Sequence, residues 1–147
     1  MKIEMNLLTT PEKFFNLLLQ SAKDDIEQAM NEKISTRDIV SGYTYQKTLE
    51  NKLGAKGNAR TILTKVKEPT IYEARFETAR GVNTISYKIQ KLEVGIQIIY
   101  EESYEPANKT YDLNNKIMTF FYNRSNQKRM KQMLKRMEVY LSEQEIQ

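Results

Sequence analysis

The chain has 147 residues, no cysteine, histidine or tryptophan, and a formal net charge of +4. Without histidine and cysteine, the Ser–His and Cys–His nucleophile arrangements and the usual zinc sites are excluded; any acid or base must be a carboxylate, lysine or tyrosine. A chain of this size buries ~68–70% of its unfolded surface on folding, enough for a single domain over residues 1–147 without disulfide staples.

KIEMNLL alternates apolar residues at Ile3, Met5 and Leu7, the period of a strand with one buried face. TTPEK then carries helix-start chemistry: Thr9 or Thr10 as cap, Pro11 in the first turn, Glu12 closing a capping box. Phe14, Leu18, Ala22, Ile26 and Met30 recur at helical spacing, which predicts a helix over 11–31. ISTRDIVSG is a short turn with Ser35 or Thr36 as cap.

From Gly42 the period switches to two. GYTYQKTL places Tyr43, Tyr45 and Leu49 on one face, and LGAKGN is a glycine-punctuated hairpin loop. ARTILTKV is the next strand, ending near Pro69. TIYEARFET groups Tyr72, Ala74 and Phe76; VNTISYKIQKL groups Ile85, Tyr87 and Ile89; GIQIIYEESY groups Ile96, Ile98 and Tyr100. Short loops between them imply antiparallel hairpins. After Pro106, residues 112–143 contain no glycine or proline and read as one long helix.

The order is strand, helix, five strands, long helix. A sheet with one apolar face must be covered, and six strands need more than the first helix. The expected fold is therefore α+β: a curved antiparallel sheet of about six strands wrapped around a long C-terminal helix, the helix-grip arrangement.

That order of elements resembles the START-like, polyketide-cyclase-type superfamily. More narrowly, KIEMNL, TPEKFFNLLLQS, SGYTYQKT, TISYKIQKLE, IIYEES and KRMKQMLKRMEVY resemble a family of small proteins of low-GC Gram-positive bacteria, catalogued as a domain of unknown function. The resemblance covers nearly the whole chain and none of its motifs is catalytic. It implies an apolar cavity between helix and sheet, a site used elsewhere in the superfamily for lipids, polyketides or hormones.

RSNQKRMKQMLKRM, residues 124–137, holds six basic residues and no acidic one. On a helical wheel, Leu134, Met137 and Leu141 fall within about 40° of Met130, with Met133 and Tyr140 on the flank. Arg124, Lys128, Arg129, Lys131, Lys135 and Arg136 take the other side, the solvated face of an amphipathic helix. No aromatic is interleaved and no nucleic-acid motif is present, so nucleic acid is disfavoured as a partner. A peripheral membrane contact fits the basic stripe better, but the apolar face is already needed by the sheet. Leu113, Ile117, Phe120 and Phe121 point about 100° away from Met130 if the helix is straight. Asn123 and Gln127 lie between the two apolar stripes, on the inward side.

Nine tyrosines complete the pattern. They suit strand packing as well as a cavity for an amphipathic ligand. Adjacent carboxylates, Asp24–Asp25 and Glu101–Glu102, diverge and read as surface charge, with Glu102 sharing the parity of Tyr100. The reading these residues support is non-enzymatic binding of a small apolar or amphipathic molecule. Tyr43, Tyr45, Tyr72, Phe76, Tyr87 and Tyr100 would form its walls, Asn123 and Gln127 would orient a polar end, and Met130 would make an adaptable floor. The alternative is a regulatory protein that docks an acidic partner or anionic membrane through the basic helix face. A carboxylate/tyrosine enzyme is the least favoured reading. No catalytic residue, metal ligand or cofactor is assigned, oligomeric state is left open, and the location expected from a cysteine-free chain with no membrane-length apolar run is cytoplasmic.

Overall fold

The computed structural model describes residues 1–50, 56–107 and 112–146, and side chains over 1–48, 57–107 and 126–144. The alternating stretches are strands: β1 (Lys2–Leu7), β2 (Tyr43–Glu50), β3 (Lys56–Lys67), β4 (Ile71–Thr78), β5 (Gly81–Lys91) and β6 (Ile96–Pro106). The stretches of helical period are α1 (Pro11–Met30) and α2 (Asp112–Ile146), and a short 3₁₀ turn covers Thr36–Asp38. Of the expected LGAKGN loop, residues 53–55 lie outside the described residues, while Gly57 and Asn58 belong to β3.

All strand pairs are antiparallel and the sheet order is β1-β6-β5-β4-β3-β2. Successive strands from β2 to β6 are therefore neighbours, whereas β1 and β2 stand at opposite edges. The helix that joins them, α1, crosses the inner face. With α2 beside it, this is the helix-grip fold.

Local chemistry explains the helix ends. Thr10 is the N-cap of α1, its hydroxyl accepting from the Lys13 amide, with Pro11 in the first turn. The expected capping box on Glu12 does not form, because a cap at Thr10 puts Lys13 at the third helical position. Asn31 ends the helix in the left-handed conformation, φ 53°. At the β5–β6 hairpin, Gly95 has φ 78°, and a Cβ there would stand 2.3 Å from the Leu7 carbonyl oxygen. Only glycine lets β1 approach that turn.

The inner face carries the core. Phe14, Phe15, Leu18, Leu19, Ala22 and Ile26 of α1 meet Ile3 and Leu7 of β1, Leu63 of β3, Ile89 of β5, and Ile96 and Ile98 of β6. Met130, Leu134 and Leu141 of α2 are buried in the same cluster and Met137 packs against it, so the apolar side of α2 faces inward. The flanking Met133 and Tyr140 are exposed, as are Lys128, Arg129, Lys131, Lys135 and Arg136. The side chains of Leu113, Ile117, Phe120 and Phe121, and that of Arg124, lie outside the described residues. Among those described, no helix is long and apolar enough to cross a membrane.

Among the described residues, a buried leucine and a nearly buried carboxylate help to fasten α2. Leu134 has no exposed surface. One turn on, the Glu138 carboxylate accepts the Leu8 amide at 2.7 Å and the Lys135 ammonium at 2.6 Å, tying the helix to the β1–α1 junction. The Lys135 ammonium and the Leu8 amide together hold the Glu138 carboxyl below its ordinary value, against the opposing effect of burial.

Leu134→Ala should cost ~2–5 kcal/mol in chemical denaturation. Glu138→Ala should cost ~1–2 kcal/mol, the loss of an acceptor from a part-buried amide and of a charged partner. Because the folded pKa of Glu138 is depressed, its contribution is fully present above the unfolded value of 4.5 and fades as pH falls through the folded one. The stability gap between wild type and Glu138→Ala should therefore shrink in strongly acidic buffer and hold steady from pH 5 to 8. A gap that instead widens in acid would remove the carboxylate from this role.

Candidate functional site

The filling of the grip is uneven along α1. Its first turns present Phe14, Phe15, Leu18 and Leu19, which occupy the space above the sheet. From Ser21 onward Ile26 still enters the core, but the side of α1 turned to this space carries Ser21, Ala22, Asp24, Asp25 and Gln28, and β4 contributes Ala74. With Ser21 and Ala22 on the helix and Ala74 on the sheet, a hollow of about 370 Å³ is left. Its described walls come from α1 and from β2 to β5, with Tyr45, Thr61, Tyr72, Phe76, Ile85 and Tyr87 on the sheet side.

Register sets these walls. Tyr72 of β4, Tyr87 of β5 and Tyr100 of β6 are directly opposite one another, one tyrosine per strand. Ring centroids are 6.2 Å apart for Tyr72–Tyr87 and 5.0 Å for Tyr87–Tyr100, both edge-on. Phe14 tilts onto Tyr87 and Phe15 meets Tyr72 edge-on. This geometry suits the ring quadrupoles and stiffens the wall. A second row runs Tyr45, Thr61, Phe76 and Asn83 across β2, β3, β4 and β5.

At the α1 edge the apolar lining gives way to a polar latch. The Tyr45 hydroxyl donates to Asp25 Oδ2 at 2.5 Å, and the Lys47 ammonium reaches Asp25 Oδ2 at 3.1 Å and Oδ1 at 3.3 Å. Lys47 also stands 5.7 Å from the Phe76 ring centroid, a cation–π distance. Burial, reinforced by the adjacent Asp25 carboxylate, drives the Tyr45 phenol far above its ordinary value. Thr61, fully buried beside it, softens that rise without forming a hydrogen bond of ordinary geometry. Burial and then Asp25 push Tyr72 up to about 12; burial, with Tyr72 and Glu102 adding to it, raises Tyr87 further.

The residues singled out from sequence divide accordingly. Tyr45, Tyr72, Phe76 and Tyr87 line the hollow. Tyr43 is half-buried and tilts against Tyr45. Tyr100 is buried behind Tyr87 and donates to Glu102 at 2.9 Å, and Glu102 also accepts from Asn83 at 3.4 Å. Glu102 is thus engaged beside the hollow and is not among its lining residues. Met130 packs in the core cluster and Gln127 is half-buried; neither is among the described lining residues. The Asn123 side chain lies outside the described residues. The described wall opposite the sheet is supplied by α1, where the sequence pattern pointed to α2.

Asp25, Lys47 and Thr61 are the site residues that sequence reading passed over. Asp25 reads as surface charge, yet it precedes Ile26 on the flank of the buried stripe. Lys47 shares the parity of Tyr45, a signal available in the sequence. Among the described residues, no group of three or more His, Cys, Asp or Glu could hold a metal ion.

A family model for a domain of unknown function, DUF3284, matches residues 1–123. The chain belongs to the DUF3284 family. None of the curated proteins matches it. Among solved structures, this DUF3284 chain is similar to a protein of unknown function, SA2116, from Staphylococcus aureus, at 16% identity and TM-score 0.68 over 100% of this chain and 95% of that one. It is also similar to Ara h 8.0201, at 11% identity and TM-score 0.62 over 97% of each chain. Protein MLL2253 from Mesorhizobium loti follows at 12% identity and TM-score 0.61, over 97% of this chain and 96% of that one. Identities this low speak to the fold alone, which is shared with START-like helix-grip proteins.

Tyr45→Phe keeps the ring and removes the donor to Asp25, and should cost ~1–2 kcal/mol in denaturant melts while leaving the Asp25–Lys47 pair in place. The phenols also set an alkaline limit. Their folded pKa values are raised, so their contribution is complete below the unfolded value of 10.0 and is lost as pH rises toward 12. Ultraviolet titration should show Tyr45, Tyr72 and Tyr87 failing to ionise at pH 10–11 in the native protein and doing so on unfolding. Normal titration of all nine tyrosines would contradict this.

Proposed function

We propose that this DUF3284 protein acts as a single helix-grip domain that binds a small, largely apolar or amphipathic molecule without chemistry, in the hollow between the sheet and its helices. The observation that carries the reading is the aromatic-walled space of about 370 Å³, within the ~300–1,000 Å³ range of ligand sites. Tyr45, Tyr72, Phe76 and Tyr87 would supply contact area, while the latch of Asp25, Tyr45 and Lys47 would hold the wall in place. Tyr43, Tyr100, Asn123, Gln127 and Met130 would support the site from its margins. Binding rather than catalysis is favoured because general acids and bases work best with pKa values near the operating pH. Burial moves the three phenols the other way. The cytoplasm of a low-GC Gram-positive bacterium is the setting this reading assumes.

One observation favours a second reading. Lys128, Arg129, Lys131, Lys135 and Arg136 are all exposed on α2, so that face is open to an acidic partner or anionic membrane. Salt-sensitive retention on heparin, abolished when Lys128, Arg129 and Lys131 are changed to glutamine, would identify it.

Native mass spectrometry of the purified protein should reveal a co-purifying small molecule. Ala74→Phe should fill the hollow and weaken binding of an apolar fluorescent dye by at least about ten-fold, with no more than ~1–3 kcal/mol lost from stability. Undiminished dye binding by a folded Ala74→Phe variant would place the dye elsewhere.

A further inference from the structure

Among the described residues, three hydroxyls of residues that line the hollow have no hydrogen-bond partner of ordinary geometry. Thr61 has no exposed surface and its Oγ1 makes no hydrogen bond. Tyr72 and Tyr87, 7% and 5% exposed, have hydroxyls that bond to none of the described residues, in contrast to Tyr45 and Tyr100. Thr61, Tyr72 and Tyr87 come from β3, β4 and β5, and all three line the hollow. Their strands are hydrogen-bonded neighbours, so the groups are held on one rigid surface.

Asp25 and Lys47, the half-buried charged groups around the same space, are already committed to each other. Asp25 accepts from Tyr45 and Lys47, which leaves it little capacity to hold a ligand cation. The Lys47 ammonium is matched to Asp25 and lies near Phe76, so a ligand anion would have to break that pair. Asp24 adds a second carboxylate to the lining, which disfavours an anion further. Burying an ion without a partner is far more costly than burying a neutral polar group. A pure hydrocarbon fares poorly as well, because it would displace water and leave buried hydroxyls unpaired.

Resting on the reading that this hollow binds a ligand, we infer that it selects uncharged molecules carrying a hydrogen-bond acceptor, such as a ketone, ester or ether oxygen, which receives the hydroxyls of Tyr72 and Tyr87. The phenols suit this role because they stay protonated, and so remain donors, across the physiological range.

Three probes sharing one ring system separate the possibilities: naphthalene with no acceptor, 2-acetylnaphthalene with a neutral carbonyl, and 2-naphthoate with an anion. Affinities are read by calorimetry on the full chain. The ketone should bind at least about ten-fold tighter than either of the others, the equivalent of one buried hydrogen bond. In Tyr72→Phe/Tyr87→Phe its affinity should fall to that of naphthalene, while naphthalene itself binds as before. Should the double variant unfold, Tyr87→Phe alone should lose part of the same preference. Naphthoate binding tightest, equal binding of all three, or a ketone preference that survives the Phe substitutions would overturn this selectivity and leave the binding reading standing. No binding of any probe would overturn both.

Discussion

Two consecutive strands, β1 and β2, stand at opposite edges of one six-stranded sheet, and the chain between them must cross the whole inner face. Five inter-strand gaps of ~4.8 Å make that distance roughly 24 Å. The 20 residues of α1 span roughly 30 Å as a helix, so one helix with short connections closes the gap. Everything else is arranged around that crossing. Because α1 is pinned at both ends, its side chains meet fixed strand positions, and its composition decides where the interior is full and where it is open.

That composition changes half-way. Phenylalanine and leucine dominate the first turns, and serine, alanine, aspartate and glutamine follow. Opposite the second half, β4 offers Ala74. Packing is fuller at the first turns than beside the hollow, and the tyrosines of β2, β4 and β5 border the gap with rings anchored by their neighbours. The Tyr45–Asp25–Lys47 contacts then lock α1 to β2. A carboxylate in the second half of a helix thereby becomes part of the wall.

The charged helix at the C-terminus takes its meaning from the same architecture. Its apolar stripe is consumed by the core through Met130, Leu134 and Leu141, and Glu138 secures it to the start of α1 through Leu8. The basic residues are left outward, where water solvates them. A helix with one face committed can still present the other to a partner, but it cannot lay its apolar side on a membrane without leaving the sheet.

Local periodicity carried the architecture: alternation at Ile3–Leu7, Tyr72–Phe76, Ile85–Ile89 and Ile96–Tyr100 marks strands, and the Phe14–Ile26 and Met130–Leu141 stripes mark helices. These patterns are legible because burial repeats every two or 3.6 residues whatever lies opposite. What faces what is decided only by tertiary structure. Register across two hairpins brings Tyr72, Tyr87 and Tyr100 into one row, and the crossing of α1 sets Asp25 beside Tyr45 and Lys47. Neither fact is local to any segment. An aspartate next to a buried isoleucine and a lysine in phase with a buried tyrosine look like surface residues until the fold places them together, since an ion pair depends on distance in space and leaves no period in the chain.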